Sequence, residues 1–138
     1  MTRINKIIDT MKKEGLTQII VSDPMSIFYI TGRKIECGER LLALYINTNG
    51  DCKLIINNLF PQNPDSEIDL VWYNDDQDGV EILSKYINKN VTIGIDKNWP
   101  SGFLIRLNEI LKDIKTVNSS FIVDNTRLIK DKHEQNLM

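Results

Sequence analysis

The chain has 138 residues, 41% hydrophobic and 26% charged, with a formal net charge of −2. That size and balance describe one soluble globular domain whose core needs no disulfide or metal staple. The charge balance leaves no basic excess to hold a phosphate backbone, so nucleic acid is a poor default partner, and no apolar run approaches the roughly 18 to 20 residues of a membrane span.

The first predicted element is a helix over 3–14, with Ile4, Ile7, Ile8 and Met11 on one stripe and Lys6, Asp9, Lys12 and Lys13 opposite. Gly15 ends it as a C′ residue. Residues 16–21 are apolar and β-branched, the pattern of a buried strand. Asp23 then caps a short helix whose first position is Pro24 and which carries Ile27, Phe28 and Ile30 as far as Gly32. A charged loop, 33–40, follows.

Residues 41–47 and 52–56 read as a hairpin turning at Asn49-Gly50. Segment 57–67 contains Pro61 and Pro64 and is irregular, and 68–73 is a third strand. A helix over 79–88 carries Val80, Leu83 and Ile87, and a buried strand covers 91–95. A strongly amphipathic helix over 101–112 turns Phe103, Leu104, Leu107, Ile110 and Leu111 inward. The last strand is 114–117, with 121–123 as its candidate extension. Asp124 caps a short helix bearing Arg127, Leu128 and Ile129, and 130–138 reads as the opening of another helix. Its apolar Leu137-Met138 end lacks a partner turn, which points to the front part of a longer protein. Alternating strands and helices, with one antiparallel hairpin, predict an α/β layered fold with a mixed sheet.

The chemistry available is narrow. The one histidine, His133, lies among Lys130, Asp131, Lys132 and Glu134, a setting that favours exposure over metal binding. Cys37 and Cys52 lack redox spacing and read as a reduced cytoplasmic pair, consistent with the missing signal peptide. Asp23 and Asp96 each follow a buried strand. Such acids cap helices, and as a pair they could also hold Mg²⁺ for phosphoryl transfer. The run Asn74-Asp75-Asp76-Gln77-Asp78 lacks calcium-loop spacing and reads as a solvated loop with a helix cap. Trp72, Tyr73 and Trp99 read as core or edge residues. The loop 33–40 holds Arg33, Lys34 and Arg40 with Glu36 and Glu39 around Gly38. It is either a solvated loop or a recognition arm, since guanidinium forks grip carboxylates and carboxylates grip amines.

Taken in order, several of these motifs resemble one family. Asp23-Pro24, Ile27-Phe28-Tyr29-Ile30-Thr31-Gly32 and Gly38-Glu39-Arg40 are similar to the N-terminal domain of the creatinase/prolidase group of metallopeptidases. There a tyrosine, an aliphatic residue and Thr-Gly precede a short loop and Glu-Arg. Ile93-Gly94-Ile95-Asp96 resembles the family's strand end, and Arg127-Leu128-Ile129-Lys130 with Glu134 its junction to the catalytic domain.

The resemblance implies a three-layer α/β/α, RNase-H-like domain with a mixed sheet over 1–123. Residues 124–138 then start the linker and first helix of a C-terminal catalytic domain. It implies no catalytic, cofactor-binding or metal-ligating residue here. Two divalent metals (Mn, Co or Zn) belong to the catalytic domain, where a bridging hydroxide would attack the scissile carbonyl. The expected role is substrate gating and oligomerisation in a cytoplasmic Xaa-Pro dipeptidase or aminopeptidase. The expected partners are the chain's own catalytic domain, a second copy in a homodimer, and short proline-containing peptides. Within the loop, Arg33, Glu36, Glu39 and Arg40 are the gating candidates, and Gly38 stands where close prolidase relatives carry a histidine. The alternatives are a creatinase-type amidinohydrolase or inactive member, a Mg²⁺-dependent phosphoryl-transfer domain using Asp23 and Asp96, and a standalone binding module.

Overall fold

Ten regular elements, and a further helical stretch that begins at residue 120, follow one another in the computed structural model, which describes residues 2–64 and 67–127. The Thr2 side chain accepts from the Asn5 N–H and so opens α1, Arg3–Glu14. Its stripe of Ile4, Ile7, Ile8 and Met11 is buried, and Gly15 closes it in the left-handed region at φ 75°. β1 (Gln18–Val21) is buried along its whole length. α2 (Pro24–Thr31) starts on the Asp23 cap with proline in its first turn. The hairpin β2 (Ala43–Asn47) and β3 (Cys52–Asn57) comes next, then β4 (Asp69–Tyr73), α3 (Gly79–Ser84), β5 (Ile93–Ile95), α4 (Ser101–Ile110) and β6 (Thr116–Asn118).

The six strands form one sheet in the order β4-β3-β2-β1-β5-β6. β2 is antiparallel to both its neighbours, and the pairs β1–β5, β3–β4 and β5–β6 are parallel. Five strands therefore share one direction, and their carboxyl ends line a single edge of the sheet.

Period-2 alternation divides the strand side chains between two cores. Ile19, Val21, Leu44, Ile46, Leu54 and Ile56 face α1 and α2. Ile20, Ala43, Tyr45, Ile55, Ile93 and Ile95 face α3 and α4. The result is the expected three-layer α/β/α arrangement around a mixed sheet.

Four expectations change. Residues 121–123 do not extend a strand: 120–127 is helical. Ser119, Ser120, Ile122, Val123 and Thr126 are buried there, and the spacings of three and four among them are a helical period that a short apolar run conceals. Asp124 consequently lies inside that helix and pairs with Lys97 at 3.2 Å, while Asn118 Oδ1 accepts from the Ser120 N–H at the helix start. Leu128, Ile129 and 130–138, including His133, lie outside the described residues. The third change concerns α4, of which only Leu107 is fully buried; Phe103, Leu104, Ile110 and Leu111 are half-buried against the same core. The helix expected over 79–88 is regular only to Ser84 and finishes in i→i−3 turns, Tyr86 N–H to Leu83 O and Ile87 N–H to Ser84 O.

Candidate functional site

Ligands of open α/β sheets sit beyond the carboxyl ends of the strands. On this chain, the loop 33–40 is tied to the segments that leave β3 and β4 at that edge. The loop starts where α2 stops. Thr31 Oγ1 donates to Ile27 O at 2.7 Å and accepts from the Arg33 N–H at 3.0 Å. Arg33 Nη1 then donates to Gln62 Oε1 at 3.2 Å. In the middle, Ile35 is only 5% exposed and inserts into the core beneath α1 and α2. A turn follows, with the Arg40 N–H on Cys37 O at 3.1 Å. Gly38 takes φ 60° within it, a conformation that side chains with a Cβ adopt at a cost.

The far end is held by a bidentate ion pair. Arg40 Nε and Nη2 donate to the two oxygens of Asp75 at 2.9 and 3.0 Å. Asn57 is buried at the end of β3, and its Nδ2 donates to Asp75 Oδ1 at 2.7 Å. The Asn57 oxygen in turn accepts from the Leu59 N–H. Hydrogen bonds from Arg40 first, then Asn57, hold the Asp75 carboxyl below its ordinary range. The bond to Asp75 raises the Arg40 guanidinium in turn. The loop is thus fastened at Arg33, Ile35 and Arg40, leaving Lys34, Glu36 and Glu39 exposed to solvent. Such fastening reduces the ordering cost when a loop meets a ligand.

A second pair lines the same cleft, of about 360 Å³, as Glu39 and Arg40. Asp78 caps α3 through the Val80 and Glu81 N–H groups and accepts from Arg106 Nε of α4 at 2.7 Å. Burial pushes the Asp78 carboxyl up, but the bonds from Arg106 and the backbone outweigh it and the net shift is downward.

The other candidates lie elsewhere. Asp23 is occupied as the α2 cap, accepting from the Ser26 N–H at 3.1 Å and Ser26 Oγ at 2.9 Å. Asp96 is buried and accepts from the N–H groups of Ser22 and Asp23 at 2.7 and 3.0 Å, tying the end of β5 to the end of β1 rather than capping a helix of its own. Burial raises its carboxyl despite those two bonds. Among the described residues, no group of three or more His, Cys, Asp or Glu side chains is placed to hold a metal ion. Cys37 and Cys52 are both free thiols, and burial pushes Cys52 up to about 12. Tyr73 and Trp99 are buried, and Trp72 is half-buried at the edge of the first core.

Sequence reading missed Asp75, Asn57, Gln62 and Arg106, all of which act across the fold. One signal existed: the acidic run 74–78 follows a strand. Only the β3–β4 register, which pairs Asn57 with Tyr73, brings Asn57 within reach of Asp75.

The profile of the Creatinase/Prolidase N-terminal domain family matches residues 3–129. An uncharacterized peptidase of Staphylococcus haemolyticus is 24% identical over 140 residues, covering 92% of this chain and 40% of the relative. The chain thus spans about two-fifths of the length of the curated relatives it matches. A proline dipeptidase from Streptococcus pneumoniae superposes with a TM-score of 0.77 at 19% identity, covering 94% of this chain and 99% of that one. A dipeptidase from Pyrococcus horikoshii superposes at 0.72 and 20% identity, covering 91% of this chain and 36% of its own.

Proposed function

Because this chain belongs to the creatinase/prolidase N-terminal domain family, we propose that it is the non-catalytic, substrate-gating and oligomerisation domain of a metal-dependent Xaa-Pro dipeptidase or aminopeptidase. Residues 1–123 make up the domain and 124–138 lead into a C-terminal catalytic domain. That second domain supplies the divalent metals and the hydrolysis of the bond before proline in short peptides. Two copies associate, and the protein works in the cytoplasm.

The observation that carries the gating role is the fastened loop 33–40. A loop used only as a connection needs no bidentate arginine clamp at one end and no buried apolar pin in its middle. This one holds Glu36 and Glu39 out at the carboxyl edge of the sheet, where the charged termini of a short peptide could meet them. Arg33 and Arg40 keep the loop in place, and their guanidiniums offer the complementary charge to a substrate carboxylate.

Steady-state kinetics of the complete reading frame on an Xaa-Pro dipeptide test the role. Glu36→Gln is expected to raise KM roughly tenfold, about 1.4 kcal/mol of lost binding, with kcat within a few-fold. An unchanged KM for both Glu36→Gln and Glu39→Gln would contradict gating by this loop.

A further inference from the structure

Two sequence motifs to which the gating reading gives no task meet in space. One is the segment 27–32, which carries Tyr29; the other is the junction motif that begins at Arg127. The helical stretch over 120–127 packs on the α1 and α2 side of the sheet, where Ile122 and Val123 share a core with Ile27 and Ile30. Its start is tied to the end of β5: the Lys97 N–H donates to Ser120 Oγ at 2.7 Å, and Lys97 Nζ donates to Asp124 Oδ2 at 3.2 Å. Further along, it reaches α2 through Arg127, whose guanidinium carbon lies 5.9 Å from the centre of the Tyr29 ring. Arg3, in the first turn of α1, comes to the same ring at 4.4 Å, and its Nη1 donates to Tyr29 O.

Like charges do not converge without cause. Among the described residues neither guanidinium pairs with a carboxylate. Two other features draw them in. The face of an aromatic ring is negative and attracts a guanidinium, which is planar and weakly hydrated. The last carbonyls of a helix lack intrahelical donors and form the negative end of its dipole. α2 has no basic residue in its own last turn, so Arg3 and Arg127 supply from two other helices the positive charge that this end lacks. The ring they meet is half-buried and packed on the first core, which holds it in place. Two residues beyond Tyr29, Thr31 Oγ1 accepts the Arg33 N–H and starts the loop 33–40. One end of α2 therefore meets the start of α1, the end of the 120–127 stretch and the root of the candidate loop.

We propose that the Arg3–Tyr29–Arg127 stack is a latch that sets the direction in which the chain leaves the domain relative to the loop 33–40. Tyr29 and Arg127 are its positioning residues: they touch no substrate and act by fixing the loop against whatever follows residue 127. For Arg127 to swing away from α2 it must leave the ring and the negative end of the helix together. The effect on hydrolysis rests on the gating reading given above, whereas the latch itself is a property of this chain and is measured without any activity.

The test has two arms. In the first, amide hydrogen exchange of the 138-residue chain is followed in Tyr29→Leu, Arg127→Gln, the double variant and Arg127→Lys. Each of the first two is expected to speed exchange over 124–127 about tenfold while leaving β1 unchanged. The double variant should be no faster than the faster single one, because both remove the same contact. Arg127→Lys keeps a cation and should stay within about threefold of the unsubstituted chain. Should Tyr29→Leu not fold, Arg3→Gln takes its place in the cycle. Unchanged exchange, or effects that simply multiply in the double variant, would overturn the latch. In the second arm, Arg127→Gln in the complete reading frame is expected to raise KM for an Xaa-Pro dipeptide about fivefold with kcat within about twofold, and Arg127→Lys to restore it. A residue needed only for folding would lower kcat through lost active enzyme and leave KM alone; that result, or unchanged kinetics, would overturn the positioning role. If the unsubstituted frame hydrolyses nothing, the gating reading fails and the exchange cycle alone decides the latch.

Discussion

Asp75 reads in the sequence as one more acid in a solvated run, yet it fastens the candidate loop from another element. Its carboxyl is held low by Arg40 and Asn57, so its contribution is present above the ordinary carboxylate value of 3.8 and is lost as pH falls through the still lower folded value. Loop protection should therefore persist from neutral pH down to about pH 4 and fail below it. At neutral pH, Asp75→Asn should speed amide exchange over 33–40 about tenfold while leaving β1 unchanged; equal protection in both proteins would show that the clamp does not order the loop. Asp96 works in the opposite sense: burial raises its carboxyl, so its favourable contribution is fullest below 3.8 and is lost as pH rises through the raised value. Gln18 is another residue whose role sequence conceals. Fully buried, its Oε1 accepts from Tyr45 OH and the Asn88 N–H at 2.7 and 3.0 Å, and its Nε2 donates to Asn88 O and Val91 O at 2.7 and 3.3 Å. Gln18→Leu strands these partners and should cost about 2–4 kcal/mol in urea unfolding. A loss under 1 kcal/mol, on the order of one ordinary hydrogen bond, would mean that water replaces the amide.

The elements with strong periodicity were legible in the sequence. α1 shows its stripe, Asp23-Pro24 opens α2, and Asn49-Gly50 turns the β2–β3 hairpin, because each signal is local. What failed depended on distant partners. Residues 121–123 look like strand because Phe121-Ile122-Val123 is apolar and branched, but their neighbours Ser119 and Thr126 complete a helical face against α1 and α2. Contacts there include the Tyr29 ring of α2, with the Arg3 guanidinium 4.4 Å and the Arg127 guanidinium 5.9 Å from its centre. The antiparallel direction of β2 followed from the hairpin, whereas strand order across β1, β5 and β6 follows only from packing. Gly94 marks one such contact: an added Cβ would lie 2.4 Å from Ser119 Cβ and 2.8 Å from Ile19 Cγ2. Gly94→Ala should therefore push β5 from its neighbours and cost about 1–3 kcal/mol, read as a lower thermal midpoint. An unchanged midpoint would show that the 119–120 turn moves aside freely.

At the scale of the whole molecule, the three-layer fold and the family were both readable from ordered short motifs. The site was readable only as a loop: 33–40 stands out by its charge, but its anchors Gln62 and Asp75 lie 29 and 35 positions beyond the arginines they hold, and Asn57, which supports Asp75, comes from the end of β3. Five parallel strands bring those segments to one edge, and the loop is fastened across part of it. In the proposed reading the chain presents a surface to substrate; the curated relatives are longer, and this chain covers about two-fifths of them. The most direct test compares the 138-residue chain with the complete reading frame on an Xaa-Pro dipeptide in the presence of Mn²⁺. The account predicts hydrolysis by the long form and none by the chain alone. Turnover by the chain itself, or a complete frame with no catalytic half, would contradict it.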